Sequence, residues 1–270
     1  MAVGTDKGPT NHRHDAALIE MWNGTVWSVQ TSARPAGARI TDLYGVSCTS
    51  PASCMAVGTY EPAGEISFST GMAEEWNGRT WTVQKTAAEG SGGQLDGVSC
   101  PSATDCVAVG NGLDDLLVEV WNGSTWTAQP ILQVNVSRFG LLTDVSCSST
   151  TACMTVGYYY SDKGYKSGIA EQWNGSVWTI RPTLKHRGID LSEVSCVSAS
   201  ACTAVGIHDN GIAFKTLLEA WNGTAWVVQT SPDPSPNGNY LYGVSRTAAA
   251  TCTAVGFTGA NVPLIESEGT

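Results

Sequence analysis

Residues 95–129 read LDGVSCPSATDCVAVGNGLDDLLVEVWNGSTWTAQ. Four β-prone runs follow one another: Leu95–Cys100, Cys106–Gly110, Leu116–Asn122 and Thr125–Gln129. A short Ser/Thr/Ala/Pro loop joins the first two, and Asn122-Gly123 joins the last two. Asn-Gly between β-prone segments is a strong hairpin signal, because both residues tolerate positive φ. The stretch therefore predicts an antiparallel meander of four strands, A to D.

The pattern repeats along the chain. Trp-Asn-Gly-x-x-Trp begins at Trp22, Trp76, Trp121, Trp173 and Trp221, and these copies hold all 10 tryptophans. Successive starts lie 54, 45, 52 and 48 residues apart. A period near 50 suits propeller blades and neither leucine-rich nor helical repeats. A meander cannot bury both faces alone, so such units stack radially. The tryptophans beside each turn then read as packing anchors between blades.

Counting strand A sets the expected blade number. Five copies occur: Leu43–Cys48, Leu95–Cys100, Leu142–Cys147, Leu191–Cys196 and Leu241–Arg246. The N-terminal Ala2–Gly4, Leu18–Asn23 and Val26–Gln30 supply B, C and D without an A; the C-terminal Cys252–Gly256 and Leu264–Glu268 supply B and C without a D. Joining the two ends predicts an all-β, five-bladed propeller over residues 1–270, with repeat units near 1–42, 43–94, 95–141, 142–190, 191–240 and 241–270. Six blades would leave one blade with no inner strand.

The unit L-x-G-V-S-C…C-x-A-V-G…W-N-G-x-x-W-x-x-Q resembles the repeats of BNR/Ycf48-like propellers and, more closely, Cys- and Trp-rich repeats of secreted actinobacterial proteins. The Gly-x-Thr-Trp end of that family's Asp-box hairpin stands at Gly78–Trp81 and Gly123–Trp126, with Trp76 and Trp121 where the box has its Asp. The five-bladed plan is also similar to tachylectin-2-type lectins. The resemblance implies a secreted bacterial propeller, and the likeness to the lectins is one of architecture.

Nine cysteines fall as Cys48/Cys54, Cys100/Cys106, Cys147/Cys153 and Cys196/Cys202, with Cys252 left over because Arg246 takes its partner's place. Each pair brackets a five-residue loop between antiparallel strands, within disulfide reach. The C-x5-C spacing does not suit zinc knuckles. Four disulfides and Cys252 as a free thiol, or as a partner for another chain, are expected, and such a set belongs outside the cytoplasm. Met1 aligns with Met55 inside strand B and no signal peptide precedes it, so the sequence reads as a processed or truncated form.

The net charge of −10 argues against a nucleic-acid partner, and no apolar run approaches the length needed to insert into a bilayer. No nucleophile triad, phosphate loop or metal spacing stands out, so neither an enzyme nor a cofactor is expected. In a meander the A–B and C–D turns share one face, and the longer, more varied B–C and D–A loops share the other, where binding chemistry belongs.

On that second face Tyr158, Tyr159, Tyr160 and Tyr165 form an aromatic cluster that reads as a ligand platform or as ordinary strand filling. Tyr60, Asp209 and Asn210 are further ligand candidates. His12, Arg13, His14 and Asp15 read as a solvated loop more readily than as a metal cluster. The Glu two residues before each first Trp (Glu20, Glu74, Glu119, Glu171, Glu219, with Glu266 in the last unit) reads as an acceptor of N–H groups from the adjoining blade rather than a repeated ligand contact.

The expected function is carbohydrate or cell-surface binding; the rivals are a protein–protein scaffold and a glycosidase-like enzyme using Asp42, Asp144 or Asp190. Repeat-equivalent polar residues would favour the lectin, a single apolar patch the scaffold, and two carboxylates in a deep pocket the enzyme.

Overall fold

The computed structural model describes residues 1–7, 15–63, 69–88, 92–113, 115–131, 139–248 and 251–268. They form 22 strands in six antiparallel sheets. Sheet one holds β1 (Ala2–Asp6), β2 (Ala16–Trp22) and β3 (Trp27–Gln30); sheet two holds β4 (Ala38–Ser50), β5 (Ser53–Pro62), β6 (Thr70–Trp76) and β7 (Trp81–Gln84). Sheet three holds β8 (Gln94–Ser102), β9 (Asp105–Asn111), β10 (Leu116–Trp121) and β11 (Trp126–Ala128). Sheet four holds β12 (Gly140–Ser149), β13 (Ala152–Tyr160), β14 (Lys166–Trp173) and β15 (Trp178–Ile180). Sheet five holds β16 (Asp190–Ser198), β17 (Ala201–Asp209), β18 (Phe214–Trp221) and β19 (Trp226–Val228); sheet six holds β20 (Asn239–Ala248), β21 (Thr251–Thr258) and β22 (Pro263–Glu268). The chain divides into two compact units, Met1–Gln129 and Pro130–Thr270, with three sheets in each.

Six sheets stand where five blades are expected from the inner strands. The N-terminal strands pair among themselves, Ala2 opposite Glu20 and Trp22 opposite Trp27, and the C-terminal strands do the same. Hairpin pairing is local, so a sheet lacking one strand still forms without borrowing it from the other end.

The Asn-Gly turn also differs from the expected two-residue hairpin. Trp121 lies directly opposite Trp126, so four residues form the loop. Gly123 alone takes positive φ, at 89°, while the Asn122 side chain accepts the N–H groups of Ser124 (3.0 Å) and Thr125 (2.9 Å). The asparagine acts through its side chain. The Trp–Trp contact closes the hairpin at 5.6 Å between ring centroids.

Within each unit, neighbouring sheets pack face to face. Met55, Val57 and Ala73 of sheet two meet Leu95, Ala108, Trp121 and Trp126 of sheet three. Met154, Val156 and Ala170 of sheet four meet Leu191, Ala204, Trp221 and Trp226 of sheet five in the same way. Trp76, Trp81, Trp121, Trp126, Trp221 and Trp226 are thus inter-sheet anchors, whereas Trp22 and Trp27 are 46% and 48% exposed. Three of the recurring glutamates accept N–H groups as expected. Glu74 accepts the Ala33 N–H, Glu119 those of Ala87 and Ala88, and Glu219 that of Leu184, each from the loop after the preceding sheet.

All four expected disulfides form, Cys48–Cys54, Cys100–Cys106, Cys147–Cys153 and Cys196–Cys202. Cys252 lies outside them, opposite Arg246 and only 3% exposed, so it offers no surface thiol to a second chain. Arg246 makes a different tie, between sheets and not within one: its guanidinium donates to Thr203 Oγ1 (2.5 Å) and the Cys202 carbonyl (3.4 Å) of sheet five.

Every strand A carries a bulge that the sequence reading does not show. The register slips between Leu43 and Gly45, Leu95 and Gly97, Leu142 and Asp144, Leu191 and Glu193, and Leu241 and Gly243. The extra residue re-aims the side chains beside it.

A cationic cleft in the second unit

Strands β13 and β14 are longer than expected, so Tyr158, Tyr159 and Tyr160 lie in β13 and only residues 161–165 form the loop to β14. Alternation along the strand then separates them. Tyr158 and Tyr160 share one side, at 6.0 Å, and Tyr159 turns to the other.

On the Tyr159 side lies a cleft of about 570 Å³, between β14 and the loop that leads from β15 into β16. The loop is tied to β14 at both ends. The Arg181 N–H donates to the Ala170 carbonyl (2.8 Å) and the Gly188 N–H to that of Lys166 (2.9 Å). Its middle rests on Glu219, which accepts the Leu184 N–H at 2.8 Å. Small residues, Gly168 and Ala170, leave room on the strand side.

Arg181, Lys185, His186 and Arg187 line the loop side, and no carboxylate is among the described lining residues. Three of the chain's 14 Lys and Arg thus fall within seven residues of a protein carrying a net charge of −10. Arg181 is oriented by Gln172 Oε1 (3.0 Å) and by the face of Trp221, and Arg187 lies 5.2 Å from the centroid of the Tyr165 ring. Lys185, His186 and Arg187 are exposed. Tyr159, Tyr165 and Arg187 are therefore brought to one place.

On the other side of β13, Tyr158 lies under Lys166, whose Nζ is 3.6 Å from the ring centroid and 2.5 Å from Asp190 Oδ2. Burial alone would lower the Lys166 pKa, but the bond and charge of Asp190 outweigh it and the pKa is raised. Nearby, Tyr240, Tyr242, Phe257 and Phe214 form a run of rings with centroids 5.3–6.3 Å apart. Tyr242, Phe214 and Phe257 are 49%, 41% and 37% exposed. Tyr242 occupies the bulge of β20, a position whose outward aim only the register slip reveals.

The other candidates fall elsewhere. Tyr60 is half-buried against the core between sheets one and two. Asp209 and Asn210 cap their own turn, accepting the N–H groups of Gly211 (2.7 Å), Ile212 (2.9 Å) and Ala213 (2.9 Å). His12, Arg13 and His14 lie outside the described residues; Asp15 accepts the Thr41 N–H through its carbonyl. Among the described residues no group of three or more His, Cys, Asp or Glu is placed to hold a metal.

Each of the acids considered for an enzyme is bonded within the fold. Asp42 accepts from Thr5 Oγ1 (2.6 Å), Asp190 pairs with Lys166, and Asp144 Oδ2 accepts the Val194 N–H (2.9 Å) of the next inner strand. Burial, with the charge of Glu193 adding to it, pushes Asp144 up to about 8.

Glu219, fully buried beneath the cleft loop, is pushed up to about 7 by desolvation, which outweighs the Leu184 bond. A carboxyl raised above its unfolded value of about 4.3 favours the folded state while protonated, and that stabilisation is lost as pH rises through about 7. The thermal midpoint is therefore expected to fall between pH 5 and pH 8. The contribution is on the order of 2–3 kcal/mol. Glu219→Gln should shrink the fall; an equal slope in variant and parent would mean that Glu219 ionises normally.

No protein-family model matches the sequence, and no curated protein matches it. Among solved structures the chain is similar to YCF48 bound to D1 peptide, with a TM-score of 0.54 and 12% identity over 91% of this chain and 69% of that one. It is also similar to a PL25 polysaccharide lyase, an ulvan lyase, with a TM-score of 0.56 and 10% identity over 93% of this chain and 78% of that one. YCF48 from Cyanidioschyzon merolae aligns at 13% identity over 98% of this chain and 94% of that one, with a TM-score of 0.46. At these identities the likeness is one of fold: the chain has repeated antiparallel sheets of three or four strands, as in a β-propeller.

Proposed function

We propose that this chain is an extracytoplasmic binding protein whose cationic cleft takes an acidic segment of a partner protein. The observation that carries the reading is a single cleft with three Lys/Arg and no described lining carboxylate, in a chain of net charge −10. The trio Arg181, Lys185 and Arg187 is not repeated in the other units of the sequence, which favours one partner surface over several equivalent sugar sites. Aromatic and Arg side chains are the residues that anchor protein interfaces. The four disulfides fit an oxidising compartment. One solved neighbour is bound to a peptide, in agreement with this reading.

Carbohydrate or cell-surface binding is the second reading, favoured by one feature. Tyr159 and the hydroxyl-bearing Ser167 and Thr183 share the cleft with the cations, a set that suits an acidic sugar.

The test compares a glutamate-rich peptide with polygalacturonate, each titrated against the parent protein and the double variant Lys185→Glu with Arg187→Glu. Peptide affinity is expected to fall by about tenfold or more in the variant, and to weaken with salt in the parent. Tyr159→Ala with Tyr165→Ala should weaken binding, while Thr49→Ala with Ser50→Ala, on the A–B loops, should leave it unchanged. Binding of polygalacturonate alone selects the second reading; binding of neither ligand rejects the cleft as an anion site.

A further inference from the structure

Between its two ties to the cleft loop, β14 meets the cleft with bare backbone. The Ala170 carbonyl accepts the Arg181 N–H (2.8 Å) and the Lys166 carbonyl that of Gly188 (2.9 Å), so both face the loop. In an antiparallel strand one residue's N–H and C=O point the same way, and alternate residues share that direction. Gly168, midway between Lys166 and Ala170, therefore turns its N–H and carbonyl toward the loop as well. It lines the cleft, is half-buried, and has no side chain to cover them. Among the described residues neither group has a hydrogen-bond partner.

The equivalent place in sheets two and five is filled. Gly168 lies five residues before Trp173, as Gly71 does before Trp76 and Thr216 before Trp221. The Gly71 carbonyl accepts the Thr86 hydroxyl at 3.1 Å. In sheet five the occupant is a carboxylate. Asp233 Oδ1 accepts both the N–H (3.0 Å) and the hydroxyl (3.2 Å) of Thr216, and its Oδ2 lies 3.7 Å from Lys215 Nζ. Asp233 stands seven residues after Trp226; seven after Trp178 stands Lys185. Sheet four thus keeps the N–H of the seat and has a cation where sheet five has its aspartate. It also brings a hydroxyl to the spot, since Thr183 Oγ1 lies 2.9 Å from where a Cβ on Gly168 would be.

Building on the reading of the cleft as the site of an acidic segment, we propose that the Gly168 N–H seats one carboxylate of that segment. An Asp or Glu side chain of the partner takes in trans the place that Asp233 takes within sheet five. One oxygen accepts the Gly168 N–H, and the other meets Lys185. A hydrogen bond to an ionised acceptor is short and directional. It fixes where the segment lies, which exposed cations on flexible side chains do not.

The experiment titrates isotope-labelled protein with the glutamate-rich peptide and follows backbone amides in two-dimensional NMR spectra. The Gly168 amide proton is expected to move downfield, while that of Thr216, already bonded to Asp233, stays in place. Lys185→Asp supplies the carboxylate from within the chain, so its Gly168 amide should lie downfield before any peptide is added. Its peptide affinity should fall about tenfold further than that of Arg187→Asp, the loss that goes with one hydrogen bond to a charged group. Both positions are exposed and both substitutions change the charge equally, so the difference reads the seat and not charge alone. Peptide binding with the Gly168 amide unmoved, or equal losses in the two variants, overturns the seat and leaves the cleft reading standing. A Gly168 shift with polygalacturonate and none with peptide overturns the peptide carboxylate as the occupant. Binding of neither ligand removes cleft and seat together.

Discussion

Replacing Trp121 with alanine is expected to destabilise the fold by about 3–5 kcal/mol, the range for emptying a buried tryptophan site. The ring is 3% exposed, stands opposite Cys106 of the disulfide to Cys100, and touches Trp126 on its own sheet. It also belongs to the cluster that holds Met55, Val57 and Ala73 of the preceding sheet. Truncation therefore opens a cavity where two sheets meet, and rigid strand pairs on both sides limit collapse into it. Trp27→Ala supplies the comparison. It removes the same ring from the same motif, but at 48% exposure, and is expected to cost about 1 kcal/mol or less. Denaturant midpoints for the two variants decide the matter. Equal shifts would show that position in the motif, not burial, sets the cost, and would return Trp121 to consideration as a ligand platform.

That contrast also shows what was legible beforehand. The repeat fixes the strand order, the disulfide partners and the N–H acceptor role of the glutamates, because each depends on residues that recur in register. Departures from the repeat were legible only as departures. Arg246 in place of a cysteine announces a missing bridge, but that its guanidinium reaches Thr203 follows from the neighbouring sheet's position. The strand-A bulge leaves no distinctive mark, since Tyr44, Asp96, Thr143, Ser192 and Tyr242 are polar residues of a kind common throughout the strands. The count of five blades is not confirmed: it treats an inner strand as obligatory, whereas the three strands of sheet one pair without it.

The candidate site was half visible. Assigning long, varied loops to one face led to Tyr159 and Tyr165, and both border the cleft or its Arg187 wall. Grouping them with Tyr160 failed because the tyrosines continue a strand, and alternation splits a strand between two faces. The sequence reading does not single out Arg181, Lys185 and Arg187, because no motif or repeat marks them. A usable signal was present in the three positive residues within residues 181–187 of an acidic chain, set across from the small Gly168 and Ala170.

Gly157→Ala is expected to be as severe as the loss of a buried tryptophan, by a different route. A Cβ built on Gly157 would lie 2.0 Å from the Leu141 carbonyl oxygen and 2.8 Å from Leu142 Cα, both backbone atoms of β12. The same conflict recurs at Gly58, Gly110, Gly206 and Gly256, where the oxygen of the facing inner strand would be 1.8–2.0 Å away. The cause is the bulge. Where β12 slips between Leu142 and Asp144, its backbone swings over Gly157, and nothing larger than hydrogen fits beneath it. Relief requires β12 to leave β13, so the cost should be about 3 kcal/mol or more, at or beyond the upper end for overpacking. Gly4 is the internal control. It ends the same Val-Gly motif, but in a sheet without an inner strand, and nothing lies within 4 Å of its Cβ position. Gly4→Ala should stay within about 0.5 kcal/mol of the parent. Chemical denaturation of both variants, with the Cys147–Cys153 bridge verified intact, reads the difference directly. If the two alanines shift the midpoint alike, the glycine of the repeat is kept for some reason other than the close approach of the bulged strand.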